Sequence, residues 1–140
     1  MKLALRKTAP TNATWLQRLA CWAIKARLVS QYCHGGIVIN GELFHATAAH
    51  GLHSLPAGQW SPDNWDLIDL GDAHWHHSAL KLFAHYQGAR YDWVSLLAFV
   101  GLRVRDYDRM YCFEWCWLAM TGRVPTERVT PEMLLTLRTS

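Results

Sequence analysis

The chain of 140 residues is long enough for one domain with a real hydrophobic core and too short for two ordinary domains. Its 51% hydrophobic and 18% charged residues describe a globular protein and exclude long disordered or low-complexity segments. The formal net charge is +3, but the basic residues are scattered rather than collected on one helix, so the sequence does not predict nucleic-acid binding.

The first residues are expected to be a lead-in to the folded domain. Residues 1–13 begin with a basic segment, but Pro10 and its polar neighbours interrupt the apolar core that a signal peptide needs. The longest apolar run, residues 93–102, is too short to span a bilayer and is interrupted by Ser95. We therefore expect a cytoplasmic protein without an integral membrane segment. Residues 1–140 should form one domain, in which residues 1–13 are flexible or loosely packed.

The cysteines indicate the redox environment. The chain has four of them, Cys21, Cys33, Cys112 and Cys116. They are too few and too irregularly spaced for a disulfide framework. The sequence therefore predicts free thiols in a reducing compartment.

A first amphipathic helix is predicted from Trp15 to Val29, because Thr14 and Gln17 have the form of a capping box. The apolar residues that recur with helical spacing are Leu16, Leu19, Ala20, Ala23 and Ile24, and the basic residues on the other side are Arg18, Lys25 and Arg27. This pattern favours packing on a sheet. The alternative is a helix that lies on a membrane surface.

A β-hairpin is predicted around Asn40-Gly41, which separates two β-prone runs. With these two residues at the centre of a type I′ turn, the facing pairs are Ile39 with Glu42, Val38 with Leu43, Gly36 with His45, and His34 with Thr47. Because side chains alternate along a strand, His34 and His45 become diagonal neighbours on one face, and Gly36 leaves room between them. The pattern fits a structural and a catalytic histidine pair equally well.

The next segments are read from turn residues and periodicity. Residues 50–64 are predicted to be a connecting loop, followed by a strand from Trp65 to Leu70. A second helix is predicted from a cap at Asp72 to about Gln87. It carries three clustered histidines, His74, His76 and His77. Histidines on a single helical turn diverge around the axis, so surface positions are favoured over a metal site.

Two more helices are predicted towards the C-terminus. One runs from Trp93 to Val100 with Asp92 as its cap, and a charged loop from Gly101 to Asp108 follows it. The other starts at Thr130-Pro131, a cap followed by proline at the first helical position, and ends at Leu137.

Between these two lies a helix with Cys112 at its head. Asp106 or Asp108 is its predicted cap, and Gly122 is its predicted stop. The N-terminus of a helix lowers the pKa of a thiol, which makes Cys112 a candidate nucleophile. The alternative is that Cys112 and Cys116, four residues apart on one face, are two small buried hydrophobic residues. From this helix alone, packing is the stronger interpretation.

Four short segments, taken in order, resemble a known family. They are residues 31–39 (QYCHGGIVI), 44–47 (FHAT), 88–93 (GARYDW) and 111–114 (YCFE), with Thr130-Pro131 before the last helix. They are similar to the histidine strand, the strand with the third polar residue, the Gly-x-x-Tyr-Asp-Trp segment and the aromatic-Cys-Ser-Glu motif of the circularly permuted papain-like fold. That fold belongs to the NlpC/P60 superfamily, which includes YiiX/YaeF-like, lecithin retinol acyltransferase-like and small phage proteins.

The resemblance implies an α+β fold, a small antiparallel sheet packed against several helices, and a bacterial or phage origin. It implies a cysteine hydrolase of the amidase or peptidase type, without cofactor or metal, that forms an acyl-enzyme on a peptide, peptidoglycan-like or acyl substrate. Cys112 would be the nucleophile, His34 the base and His45 the residue that orients it. The residues assigned to the substrate or the oxyanion are Tyr32, Tyr91 and Glu114. Phe113 stands where the family usually has serine, which alters the oxyanion surroundings.

Three alternatives stay open. The chain can be an inactive papain-like module that binds a partner in a tryptophan-lined groove. It can be an acyltransferase or thioesterase that acts on a lipid or a thioester. The last alternative is a zinc site, for which the ligands would be Cys33, His34, Cys112 and Cys116. The sequence leaves the substrate and the oligomeric state undetermined.

Overall fold

The computed structural model describes residues 1–71, 74–92 and 109–138. These residues form an α+β structure with one five-stranded antiparallel sheet and four α-helices. The strands are β1 (Lys2–Arg6), β2 (His34–Ile39), β3 (Glu42–Thr47), β4 (Gly51–Leu55) and β5 (Trp65–Asp69), in the sheet order β4-β3-β2-β1-β5. The helices are α1 (Trp15–Leu28), α2 (His74–Tyr86), α3 (Cys112–Thr121) and α4 (Pro131–Arg138), and a 3₁₀ turn spans Pro62–Asn64. The predicted fold class is confirmed at this level.

The predicted loose lead-in is wrong for residues 2–6, which form β1 inside the sheet. This strand pairs with β2 on one side and with β5 on the other. Leu3, Ala4 and Leu5 are fully buried because both faces of the strand are covered. A central strand buried on both faces lacks the alternation that identifies a half-exposed one, and the basic ends hid it further.

The Asn40-Gly41 turn sets the register of the β2–β3 hairpin as predicted. Both residues have positive φ, 51° and 82°, as the two central residues of a type I′ turn require. The observed pairs are Gly36 with His45, Ile37 with Phe44, Val38 with Leu43, and Ile39 with Glu42. The register is therefore confirmed, although the predicted pair of His34 with Thr47 lies beyond the paired part of this ladder.

The loop predicted at residues 50–64 contains a strand. β4 pairs with β3 in antiparallel fashion and places His53 opposite His45. Its sequence, Gly-Leu-His-Ser-Leu, is short and has too few β-branched residues to signal a strand. β5, α2 and α4 lie within two residues of their predicted bounds. The predicted helix from Trp93 to Val100, the loop from Gly101 to Asp108 and the caps Asp72, Asp106 and Asp108 lie outside the described residues. The prediction of Asp106 or Asp108 as the cap of the Cys112 helix is wrong, because Tyr111 caps α3.

Helix α3 packs on one face of the sheet and encloses the main core there. Trp115 is fully buried, and its ring N–H donates to the backbone carbonyl oxygen of Phe44 over 2.9 Å. Gly35 permits the close approach of the helix. A Cβ at this position would lie 2.9 Å from the Phe113 ring and 3.3 Å from the Cys116 sulfur. The start of β2 and the start of α3 are therefore in direct contact.

Helix α1 has the predicted capping box, but it packs with a different face. Only Ile24 and Leu28 are buried, whereas Leu16 and Leu19 are 59% and 51% exposed. Many small and apolar residues around this helix leave its inward direction ambiguous in the sequence. In the described part of the chain, no helix combines the length and the apolar character that spanning a bilayer requires.

A disulfide between Cys21 and Cys33 joins α1 to the residue that precedes β2. The prediction of free thiols is wrong for this pair and holds for Cys112 and Cys116, which are free and buried. The chain folds back between α1 and β2, so that the two Cα atoms are 5.0 Å apart in spite of a separation of 12 positions. The spacing of the cysteines in the sequence does not reveal that the chain folds back in this way.

Removing this disulfide is expected to lower the free energy of unfolding by about 3 kcal/mol, because a link across a loop of this length restricts the unfolded chain. The Cys21→Ser/Cys33→Ser variant should unfold at a lower urea midpoint than the wild type in non-reducing buffer. Adding a reductant should lower the wild-type midpoint to that of the variant and leave the variant unchanged. Equal midpoints without reductant would show that the bond does not stabilise the fold.

Candidate functional site

The hairpin brings His34 and His45 into a direct hydrogen bond. The Nε2 atom of His34 lies 2.9 Å from the Nδ1 atom of His45, and both rings are buried. The β2–β3 register produces this contact, because Gly36 faces His45 and His34, two residues earlier, is then the diagonal neighbour of His45 on the same face. The two histidines that the sequence placed on one face therefore form a pair.

Both imidazoles are uncharged at neutral pH. Burial lowers the pKa of His34 well below its usual range, and electrostatic repulsion by His45, Arg6 and His53 lowers it further. Burial, followed by His53, Arg6 and His50, lowers the pKa of His45 to about 3. When His34 donates its Nε2–H to His45, its Nδ1 atom is left without a proton. In that tautomer His34 can accept a proton at Nδ1.

Other groups surround the pair, and three of them were not identified from the sequence. His53 of β4 lies with its ring centroid 4.6 Å from that of His45. The Trp65 ring is 5.5 Å from the His34 ring, and the Arg6 guanidinium lies 5.0 Å above Trp65. Arg6 and His53 belong to strands that the sequence did not reveal, so no pattern signalled them.

Cys112 is the first residue of α3 and is fully buried. Its sulfur lies 3.7 Å from the Tyr91 hydroxyl oxygen. The backbone N–H groups of Gly35, Phe113 and Cys112 itself lie near enough to the sulfur to favour its thiolate form. Because Gly35 follows His34 directly, the thiol lies beside the backbone that carries the histidine pair.

The pKa of Cys112 is raised to about 11, which contradicts the expected lowering. Burial is the largest cause, since it removes the thiolate from water. The Tyr91 hydroxyl and the backbone N–H groups of Gly35 and the helix start lower the pKa, as the helix argument expected, but they do not offset burial. Cys112 is therefore an uncharged thiol in the resting protein.

The structure distinguishes between the three residues assigned to the substrate or oxyanion. The Tyr32 hydroxyl donates to Asp66 over 2.9 Å, so its hydrogen is engaged away from the thiol. Glu114 accepts from the backbone N–H of Tyr111, the residue that caps α3, and this makes it a capping residue. Tyr91 is the residue of the three whose hydroxyl oxygen lies beside the Cys112 sulfur. Burial raises the pKa of Tyr91 well above its usual range, which keeps its proton available for donation.

A groove of about 440 Å³ runs between α1 and the histidine pair. Its wall on the α1 side is formed by Leu16, Ala20 and Ile24, and the opposite side contains His34, His45 and Tyr91. The two disulfide cysteines also contribute to the lining. Cys112 does not, so Tyr91 is the residue that contacts both the groove and the thiol.

The zinc alternative loses one of its proposed ligands. Cys33 is bonded to Cys21 and is not available to a zinc ion in the oxidised protein. Across the ranges that the structure describes, no cluster of three or more histidine, cysteine, aspartate or glutamate residues has a geometry that could hold a metal ion.

Comparison with known proteins does not assign a family. No family model matches the chain, and no curated protein matches it. A functional assignment therefore depends on the geometry of the site and on the resemblance of four short segments.

The histidine pair is expected to make the protein less stable in acid. The pKa of each ring is lower in the folded state than the usual 6.5, so the unfolded chain binds more protons below that pH. Stability should be full above about pH 6.5 and fall towards pH 3, by roughly 1.4 kcal/mol per pH unit for each proton taken up.

In the His45→Asn variant, the unfolded chain should take up about one proton fewer relative to the folded protein. The measurement is the slope of the unfolding free energy against pH near pH 5, which should be smaller than in the wild type. The His77→Asn variant, at an exposed position of α2, is the matched control and should keep the wild-type slope. An unchanged slope in the His45 variant would show that this imidazole is not kept neutral by the fold.

Alkylation of Cys112 by iodoacetamide is expected to be slow at neutral pH, because a pKa of about 11 leaves little thiolate. The rate should rise roughly tenfold per pH unit up to about pH 10. The measurement is the mass of the labelled protein over time in a Cys116→Ser background. A rate that levels off near neutral pH would instead indicate a thiolate paired with a histidine cation.

Proposed function

We propose that the protein is a cysteine hydrolase of the amidase or peptidase type with a permuted papain-like NlpC/P60 fold. The observation that supports this most is the hydrogen bond between His34 and His45 beside a groove that Tyr91 also lines, with the Tyr91 hydroxyl against the Cys112 sulfur behind it. A nucleophile, a base and a residue that orients the base are the parts that acyl transfer needs. The order of the four family-like segments gives the same assignment.

The first step couples attack to proton transfer. The thiol and the imidazole are both uncharged at rest, so no ion pair is available before the substrate binds. The Cys112 sulfur forms a bond to the acyl carbon while its proton moves to Nδ1 of His34. The Nε2–H of His34 continues to donate to His45, which holds the ring in the productive tautomer.

The oxyanion is stabilised at the start of α3. The electron pair of the carbonyl bond moves to oxygen, for which the backbone N–H of Cys112 and the Tyr91 hydroxyl serve as donors. The tetrahedral intermediate then expels the amine, which takes the proton from His34. Water attacks the thioester with His34 as base, the acid leaves, and the Cys112 thiol is restored.

The groove limits how the substrate reaches the thiol. Its α1 wall is apolar, which suits a peptide or cell-wall peptide with an apolar side chain, or an acyl chain. Because Cys112 lies behind Tyr91, the reacting carbonyl must pass the tyrosine side chain. An amide substrate follows from the family resemblance, as does a bacterial or phage origin. The cytoplasmic location stays a prediction, and the disulfide argues against it because such bonds persist in oxidising compartments.

A second candidate is a papain-like binding module without activity. The full burial of Cys112 favours it. The direction of β2 favours it too, since Gly35 faces Phe113 and Cys116 of α3, and its neighbour His34 therefore points towards the other face of the sheet. Catalysis then requires the Cys112 thiol and the His34 imidazole to come together around the N-terminal end of β2, where His34 lies. Covalent trapping of an acyl group on Cys112 distinguishes the hydrolase from the inactive binding module.

The test of the hydrolase is acylation by p-nitrophenyl acetate, an ester that acylates nucleophiles with little demand on side-chain recognition. The wild type should release a burst of p-nitrophenol and gain one acetyl group, located on Cys112 by peptide mass spectrometry. The Cys112→Ala variant should show neither. The His34→Ala variant should acylate roughly 10²- to 10⁴-fold more slowly, because it lacks the base.

The Cys116→Ala variant is the matched control, since this cysteine lies on the same helix and is equally buried. It should keep the burst. A burst that survives in the Cys112→Ala variant, or no acylation of the wild type by any activated ester, would favour the binding module.

A further inference from the structure

The outward face of α1 is apolar, which is unusual for the solvent side of a helix. Trp15 and Trp22 are 71% and 67% exposed, and Leu19 lies between them. Together with Ala26, these residues follow one another at spacings of four, three and four positions, which is one stripe along the helix. The stripe points away from the buried residues Ile24 and Leu28.

The charged residues of helix α1 itself are all positive. Helix α1 contains Arg18, Lys25 and Arg27 and no acidic residue. Arg18 donates to backbone carbonyl oxygens of Thr11 and Ala13, and the Lys25 ammonium donates to that of Lys7. Since Arg18 and Lys25 are held by uncharged oxygens, they keep a positive field along the flank of the stripe.

The helix is fixed so that this face stays outside. The disulfide from Cys21 to Cys33 attaches the inward side of α1 to the start of β2, and Ile24 and Leu28 pack in the core. Turning the stripe inward would require breaking these contacts. The exposed tryptophans therefore need an external partner if they are to leave water.

We propose that α1 docks on an anionic lipid surface, with its axis parallel to the membrane and its tryptophans in the interface. Tryptophan favours the boundary between headgroups and acyl chains, and flanking cations attract acidic headgroups. A helix of 14 residues is roughly 21 Å long, which suits a position along the surface and not a span across it. The docking goes beyond the hydrolase and does not depend on it.

The positive charge of α1 favours an acidic membrane over a second copy of this chain as the partner of the stripe. Two α1 helices packed stripe to stripe would bring the same basic residues together with no acidic residue of α1 to offset them. An acidic lipid surface supplies the opposite charge. The side chain of Leu16, which is 59% exposed and also lines the groove, places the groove beside the docked face.

The test is co-sedimentation of the full chain with vesicles of phosphatidylcholine alone and with vesicles of equal parts phosphatidylcholine and phosphatidylglycerol. The wild type should bind the anionic vesicles more tightly, and added salt should weaken this binding. The Trp15→Ala/Trp22→Ala variant should bind at least roughly tenfold more weakly. Arg18→Gln should reduce the binding to anionic vesicles about fivefold and leave the binding to neutral ones unchanged.

The Leu67→Ala/Leu80→Ala variant is the matched control, because it removes two exposed apolar side chains on β5 and α2. It should bind as the wild type does. Acyl chains labelled with bromine should quench tryptophan fluorescence in the wild type more than in the Trp15→Ala/Trp22→Ala variant. The Cys112→Ala variant should also keep full binding, which separates docking from catalysis.

Two results would overturn the proposal. One is equal binding of the wild type and the Trp15→Ala/Trp22→Ala variant to anionic vesicles. The other is a dimer of the wild type, seen by light scattering without vesicles, that the same double variant abolishes. The second result would assign the stripe to contact between copies of the chain.

Discussion

The pairing of β2 with β3 is the constraint on which the candidate site depends. The turn at Asn40-Gly41 fixes which residues face each other, and that register alone places the His34 and His45 rings 2.9 Å apart at their nitrogens. A shift by one residue would turn either ring to the opposite face. The same strand meets α3 at Gly35, where only a hydrogen atom fits beside Phe113. The position of the histidine pair and the position of the thiol are thus both set within three consecutive residues of β2.

Burial governs the chemistry that this arrangement can perform. It moves the two kinds of group in opposite directions, lowering the pKa of His45 to about 3 and raising that of Cys112 to about 11. Each group is uncharged for the same reason, since a charged form would be separated from water. In the proposed reaction, charge develops only when the acyl carbon is attacked and the oxyanion finds its donors. The site therefore resembles one in which a base activates a neutral nucleophile, and differs from one that holds a preformed thiolate.

Local chemistry explains which parts of this fold could be predicted. The hairpin and its histidine pair follow from two turn residues that accept positive φ, and the helices follow from caps at Thr14 and Thr130. β1 and β4 could not be predicted, because a buried central strand and a short polar one give no alternating signal. The Cys21–Cys33 bond and the outward orientation of the α1 stripe depend on how segments that are distant in sequence pack against each other, which the sequence pattern does not show. The burial of Cys112 is likewise set by tertiary packing, and it cannot be read from the residues next to Cys112 in the sequence.

The most direct measurement is a crystal structure of the protein with a peptide aldehyde bound in the groove. In the proposed mechanism, the Cys112 thiol and the His34 imidazole act on one carbonyl carbon. The adduct should then contain a covalent bond from the Cys112 sulfur to the aldehyde carbon, with Nδ1 of His34 within hydrogen-bond reach of it and Nε2 still bonded to His45. An aldehyde bound without a bond to Cys112, or a His34 ring that remains on the opposite face of the sheet from the sulfur, would contradict the mechanism.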